Sequence, residues 1–159
     1  VTAIVIVVLV LTFAFRIVNV SGQSMMNTLH NGDKIIITNL FYTPKNGDIV
    51  VITHGQQLQE PIVKRIIATE YQTLSIDFTT GKVVVDGNVL HEDYIKDITT
   101  KSGDATIPSV IPKGYVFVMG DNRNNSLDSR YKAVGLIKTS NILGKAQCII
   151  FPFSRIGAL

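Results

Sequence analysis

The sequence predicts an all-β domain preceded by a hydrophobic helix, and two observations carry that prediction. Short β-branched runs alternate with Gly- and Asn-containing turns from residue 34 to the C-terminus, with only residues 140–143 hinting at a short helix among them. Ahead of them, residues 1–15 are apolar apart from Thr2 and Thr12, and no charge falls before Arg16. The 159 residues have room for one ordinary domain, or one with a modest insertion. Charged residues are few at 17% and hydrophobic residues reach 46%, so part of the chain is expected to sit somewhere drier than a soluble surface. A membrane is the first candidate. The net charge of +3 is mild and the basic residues are scattered from Arg16 to Arg155, which argues against nucleic acid as the main partner. Slight basicity suits an ordinary solvated surface or one facing anionic lipid.

As a helix, residues 1–15 would span roughly 22 Å, short of the roughly 30 Å hydrocarbon core. Residues 1–18 are therefore expected to be the end of a transmembrane anchor whose first turns lie upstream of Val1. A buried strand and a signal-peptide core are the alternatives; the latter fits poorly, because Arg16, Ile17 and Val18 stand where a small-residue cleavage site belongs. Strands are expected over residues 34–38, 48–53, 62–69, 73–78, 82–85, 89–90, 115–119 and 146–151. Turns such as Asn31-Gly32-Asp33, Asn46-Gly47-Asp48, Thr80-Gly81-Lys82 and Pro112-Lys113-Gly114 punctuate them. Asp86-Gly87 reads as a two-residue hairpin turn. Residues 69–112 are more polar and carry no dense motif, which marks them as a β-rich insertion or cap; residues 19–68 and 113–159 then form the main β domain, a barrel or sheet.

Three stretches carry possible chemistry. In Val20-Ser21-Gly22-Gln23-Ser24, a serine follows a glycine-containing turn just after the apolar segment, where a nucleophile's hydroxyl and adjacent amides can be held exposed. An ordinary turn or cap serine reads the same way. In Pro61-Ile62-Val63-Lys64-Arg65-Ile66-Ile67, strand alternation puts Ile62, Lys64 and Ile66 on one face and Val63, Arg65 and Ile67 on the other. A desolvated Lys64 loses its preference for the charged form and becomes available as a general base. The alternative is a lysine that keeps its ammonium in water, and Arg65 is expected to be a residue of that kind. The third stretch runs from Gly120 through Asp121, Asn122 and Arg123 to Ser126, Asp128 and Arg130. It does not fit a calcium loop, since Arg123, Ser126 and Lys132 fall at the third, sixth and twelfth positions from Asp121. Its composition suits a self-bonded loop in which Arg123 or Arg130 pairs with Asp121 or Asp128. Cys148 is the sole cysteine, and His30, His54 and His91 lie in unrelated contexts, so no metal centre, cofactor or catalytic thiol is indicated.

Taken together, these stretches resemble the type I signal peptidases, membrane-anchored serine proteases with a Ser/Lys dyad. Ser24-Met25-Met26-Asn27-Thr28-Leu29 resembles the family's nucleophile box, Gly47-Asp48-Ile49-Val50-Val51 its second box and Val63-Lys64-Arg65-Ile66-Ile67 its lysine box. Gly120-Asp121-Asn122-Arg123 with Ser126-Leu127-Asp128-Ser129-Arg130 resembles the last box, and Gly135 and Gly144-Lys145-Ala146 also fit. The chain departs from the family where Asn27 replaces a usual proline and where Thr69-Glu70-Tyr71-Gln72 replaces a usual Pro-Gly-Asp segment.

The resemblance implies Ser24 as nucleophile, Lys64 as general base, Ser126 holding the lysine amine, and Asp128 with Arg130 as a supporting ion pair. Asp121, Asn122 and Arg123 would shape the surrounding loop. The Ser24 amide would supply an oxyanion donor, with Gly22 at the position where some relatives carry a serine hydroxyl, and Met25 would help wall a shallow pocket. No cofactor is implied. The expected partners are secretory preproteins, with small residues at the first and third positions before the cut, and membrane lipid, at the extracytoplasmic side of a cell membrane. A self-cleaving Ser/Lys regulator and a membrane-tethered β domain without catalysis are the competing readings; the apolar N-terminus speaks against the first, which carries a DNA-binding domain there.

Overall fold

The computed structural model describes residues 2–5, 14–53, 55 and 57–159. Its main body is an eight-stranded, wholly antiparallel sheet built from β1 (Phe15–Asn19), β2 (Lys34–Thr38), β3 (Ile49–Ile52), β4 (Ile62–Ala68), β8 (Tyr115–Met119), β9 (Ile137–Lys138), β10 (Ile142–Phe151) and β11 (Gly157–Ala158). The order is β1-β2-β10-β3-β4-β8-β9, with β11 beside β10. A second sheet joins β5 (Leu74–Asp77), β6 (Lys82–Val85) and β7 (Asn88–Val89) in that order.

The all-β expectation agrees with this architecture, and most expected strands match within a residue or two. Half of the expected anchor, residues 1–18, lies outside the described residues. Residues 2–5 are helical, but residues 15–18 are not: they belong to β1, paired to β2 from Phe15↔Thr38 to Asn19↔Lys34. Arg16-Ile17-Val18 sets a charge beside two β-branched residues, a composition that suits an edge strand but is hidden by the long apolar run before it. Among the described residues no helix is long and apolar enough to cross a membrane. The expected helix at residues 140–143 is a 3-10 turn, Thr139–Asn141, that leads straight into β10.

Strand β10 curls the sheet. Its first half pairs with β3 (Gly144↔Val51) and its second half with β2 (Ile149↔Ile35), with register shifts along both edges. A Cβ on Gly144 would stand 2.8 Å from the Thr38 carbonyl oxygen, so only glycine lets the two backbones approach there. Burial on both faces explains the unbroken Ile-Val-Val-Ile of β3: Ile49 and Val51 pack with Val20, Met25, Leu29 and Ile35, while Val50 and Ile52 pack with Ile66, Val116 and Val118. A third cluster sets Leu74, Val83 and Val85 of the small sheet against Ile67, Phe117 and Met119. The Asp86-Gly87 turn connects β6 to β7 as expected, both residues having positive φ (50° and 78°), the conformation of a type I′ hairpin.

Candidate active site

The segment between β1 and β2 is nailed down at both ends of the turn that bears Ser24. Val20 N–H donates to Asp33 O at 2.8 Å and Gly32 N–H to Val20 O at 2.9 Å. Gly22, at φ +85°, donates its N–H to Asn31 Oδ1 at 2.9 Å. Met25 and Leu29, at 2% and 0% exposure, anchor the turn in the first core cluster. From the other side, Asn122 N–H donates to Ser24 O at 2.9 Å and its Nδ2 to Gln23 O at 3.0 Å. A Cβ on Gly120 would collide with Ser24 O and Ser126 Oγ, so this glycine lets the two stretches touch.

Lys64 arrives from the centre of β4, opposite Val50 of β3. It is 3% exposed, its Nζ lies 2.6 Å from Ser24 Oγ, and it donates to Val63 O at 3.0 Å. Burial lowers its pKa from 10.5 to about 8, against the opposing pull of the Asp128 and Asp121 charges. At pH 7 about a tenth of the amine is then unprotonated, some hundreds of times the fraction at the ordinary value, and can accept the serine proton. The hydroxyl and amine open onto a cavity of about 630 Å³ walled by Val18, Val20, Met25, Val51, Ile62 and Leu127. Gly22, Gln23 and Glu60 also line it. Among the described residues no acceptor takes the Ser24 N–H.

The loop after β8 supplies the floor. Asp128 and Arg130 form a fully buried fork, Nε to Oδ1 at 2.9 Å and a terminal nitrogen to Oδ2 at 2.8 Å, and Gly120 N–H donates to Asp128 Oδ2 at 3.0 Å. Arg123, also buried, pairs with neither Asp121 nor Asp128; it binds Glu92 at 2.6 Å and Thr99 Oγ1 at 2.9 Å. Asp121 is instead gripped by Arg65, Nε to Oδ1 at 2.8 Å and a terminal nitrogen to Oδ2 at 2.7 Å, and receives the Thr28 hydroxyl. Arg65 is thus a paired residue with 11% side-chain exposure and not the water-seeking cation that strand alternation suggests. Ser126 also departs from expectation: its hydroxyl is buried and has no hydrogen-bond partner among the described residues, so it does not hold the Lys64 amine in this structure. The remaining expected residues converge: Ser24, Lys64, Met25 and Gly22 at the cavity, Asp121, Asn122, Arg123, Asp128 and Arg130 beneath it. Glu92 and Tyr94 are not marked by the sequence reading, Thr28 enters it only as part of the nucleophile box, and Arg65 only as a solvated cation. Glu92-Asp93-Tyr94, an acidic pair beside an aromatic within a polar stretch, was the available clue.

A serine hydroxyl set against a desolvated lysine amine at the end of an apolar cavity is the equipment of a serine hydrolase with an amine base. Comparison with known proteins is specific: the chain belongs to the signal peptidase, peptidase S26 family, which it matches over residues 1–151. It is 35% identical to signal peptidase I P of Bacillus subtilis subsp. natto over 97% of this chain and 86% of that protein. It is 37% identical to probable signal peptidase I-1 of Synechocystis, over 88% of this chain and 73% of that protein. The fold is similar to the crystal structure of a signal peptidase I from Enterococcus faecalis V583, with a TM-score of 0.56 at 26% identity, covering 65% of this chain and 97% of the other.

Proposed function

We propose that Ser24 is the nucleophile and Lys64 the general base with which this serine endopeptidase removes signal peptides from secretory preproteins. The observation that carries the reading is the 2.6 Å approach of Lys64 Nζ to Ser24 Oγ inside a wall of apolar side chains. Neutral Lys64 takes the hydroxyl proton as Ser24 Oγ bonds to the scissile carbonyl carbon. The Ser24 N–H, which has no acceptor among the described residues, donates to the developing oxyanion. Collapse of the tetrahedral intermediate returns the proton from Lys64 to the leaving amine and leaves an acyl-serine. Water, deprotonated by the same amine, attacks the ester; the peptide acid departs and Ser24 regains its proton.

The apolar wall formed by Val18, Val20, Met25, Ile62 and Leu127 suits an extended peptide with small residues, typically alanine, at the first and third positions before the cut. Residues 19–68 and 113–159 are read as the catalytic β domain and residues 69–112 as an inserted cap. The apolar stretch that leads into β1 is read as the end of a single transmembrane anchor, holding the cavity at the extracytoplasmic surface where signal peptides emerge.

Cleavage of a preprotein in detergent tests this. Ser24→Ala and Lys64→Ala are each expected to lose at least about a thousandfold in kcat/KM, as removal of one member of a nucleophile–base unit does. Wild-type kcat/KM should rise about tenfold per pH unit up to an inflection near 8, the pKa of Lys64. Retained cleavage in either variant, or a profile flat down to pH 5, would sink the dyad.

A further inference from the structure

Residues 92–105, between β7 and β8, brace the loop that floors the cavity. Glu92 Oε1 accepts from Arg123 at 2.6 Å, and Thr99 Oγ1 accepts from the same guanidinium at 2.9 Å. Lys96 N–H donates to Asp121 O at 3.3 Å, Arg130 donates to Lys101 O at 2.8 Å, and Ala105 N–H donates to Arg130 O at 2.9 Å. At the centre of this lacing stands Tyr94. Its ring centroid lies 4.0 Å from the Arg65 guanidinium carbon and 5.9 Å from that of Arg123, and its hydroxyl donates to Glu92 Oε1 at 3.3 Å.

We infer that Tyr94 is a positioning residue for the Lys64 amine: its ring lies against the Arg65 guanidinium, holds it on Asp121, and so keeps the Asp121 charge directed at Arg65 and away from Lys64. The inference rests on the Ser24/Lys64 reading. Lys64 and Arg65 are neighbours on β4, and Asp121 is the carboxylate that both of them feel. A guanidinium seated over an aromatic face at 4.0 Å is attracted to the ring and shielded from water on that side. Without the ring, Arg65 is freer to turn into solvent, and Asp121 becomes an uncompensated charge that favours the ammonium form of Lys64.

The charged groups around this assembly are accounted for. The loop after β8 contributes Asp121 and Asp128 toward Lys64, the latter already forked to Arg130, together with Arg123, which is paired to Glu92. The 92–105 segment contributes Glu92 and, bearing on Arg65, Asp93. Strand β3 sets only apolar Val50 opposite Lys64. Of the two carboxylates that bear on Lys64, Asp121 is the one whose partner cation lies over the Tyr94 ring; Asp128 is held by Arg130.

The test is the pH profile of kcat/KM for preprotein cleavage. Tyr94→Leu keeps bulk but removes the π face; its inflection is expected to move up by about one pH unit, so that cleavage at pH 7 falls about tenfold while cleavage at pH 10 approaches wild type. Tyr94→Phe is expected to keep the wild-type inflection. Arg65→Lys loses both the fork that grips the two Asp121 oxygens and the guanidinium face that meets the ring, so it leaves Asp121 only partly compensated and should move the inflection in the same direction by a smaller amount; it serves as the test if Tyr94→Leu loses cooperative unfolding. A uniform loss of rate with an unmoved inflection in these two variants, or a Phe variant that shifts as far as Leu, overturns the inference. Ser24→Ala, run in parallel, separates the readings: residual activity there condemns the dyad, whereas a dead Ser24→Ala with an unmoved Tyr94→Leu inflection condemns only the role of Tyr94.

Discussion

The floor and the mouth of the site bury cations in opposite ways. In the floor, Arg65, Arg123 and Arg130 each meet a carboxylate at 2.6 to 2.8 Å. At the mouth, Lys64 is just as buried, yet among the described residues no carboxylate lies within ion-pair distance of its nitrogen; its partners are a hydroxyl and a backbone carbonyl. Arginine cannot shed its proton in a protein, so burying it demands a counter-charge. Lysine can, and burial without a partner drives it to do so. The two environments therefore differ in kind: the arginines hold acidic groups in a charged, fixed frame, and the lysine is left free to act as the base proposed above. Asp121 and Asp128 are near enough to raise the Lys64 pKa but are already claimed by arginines.

The largest stability effect should come from breaking the frame. Arg130→Met leaves Asp128 in a fully buried position with the backbone N–H groups of Gly120 and of residue 130 as its remaining donors. Removing one member of such a pair costs about 3–5 kcal/mol, measurable by denaturant unfolding. Asp128→Asn combined with Arg130→Met should recover much of that loss, because no unpaired charge remains. A single variant within about 1 kcal/mol of wild type would show that the pair behaves like an exposed one, and the contrast with Lys64 would lose its meaning.

The two environments were not equally legible in the sequence. Ser24, Lys64 and the Gly120–Arg130 stretch could be found because each concentrates its chemistry within a few consecutive residues. The strands could be read because β-branched runs are bounded by Gly and Asn turns. What could not be read was partnership across the chain. Arg65 and Asp121 are 56 positions apart, and Glu92 and Arg123 are 31 apart, so nothing local distinguishes a paired arginine from a solvated one. Strand alternation placed Arg65 on the face opposite Lys64 and then assumed water there, whereas a tyrosine from a distant segment fills that space. Ser126 fails for a related reason: its place in the motif says which residues it is near, while the direction of its hydroxyl depends on packing around Gly120 that no motif encodes.

Removing the unpaired cation should have the reverse sign from removing a paired one. A lysine whose pKa falls from 10.5 unfolded to about 8 folded binds fewer protons in the native state between those values. Wild-type stability therefore rises with pH across that window, and the full penalty of the buried amine is felt below about pH 8. Lys64→Met, similar in length and without charge, should be inactive yet more stable than wild type at pH 7 by on the order of 2 kcal/mol, with the advantage shrinking toward pH 10. Denaturant unfolding at pH 7 and pH 10 checks both halves. A Met variant that is less stable at pH 7 would mean that the bonds from Lys64 to Ser24 and Val63 outweigh its desolvation.

The smallest effect separates the two donors that hold Asp121. Thr28→Val removes the hydroxyl that donates to Asp121 Oδ2 while leaving the Arg65 fork intact. One lost hydrogen bond should cost about 1 kcal/mol in unfolding free energy. Because a hydroxyl is only a dipole, the pH inflection of cleavage should rise by no more than about 0.2 pH unit. That leaves Arg65 as the group that neutralises Asp121. An inflection that moves as far in Thr28→Val as in Tyr94→Leu would transfer the role to the hydroxyl, and the guanidinium under the tyrosine ring would be a packing element of the frame with no hold on the base.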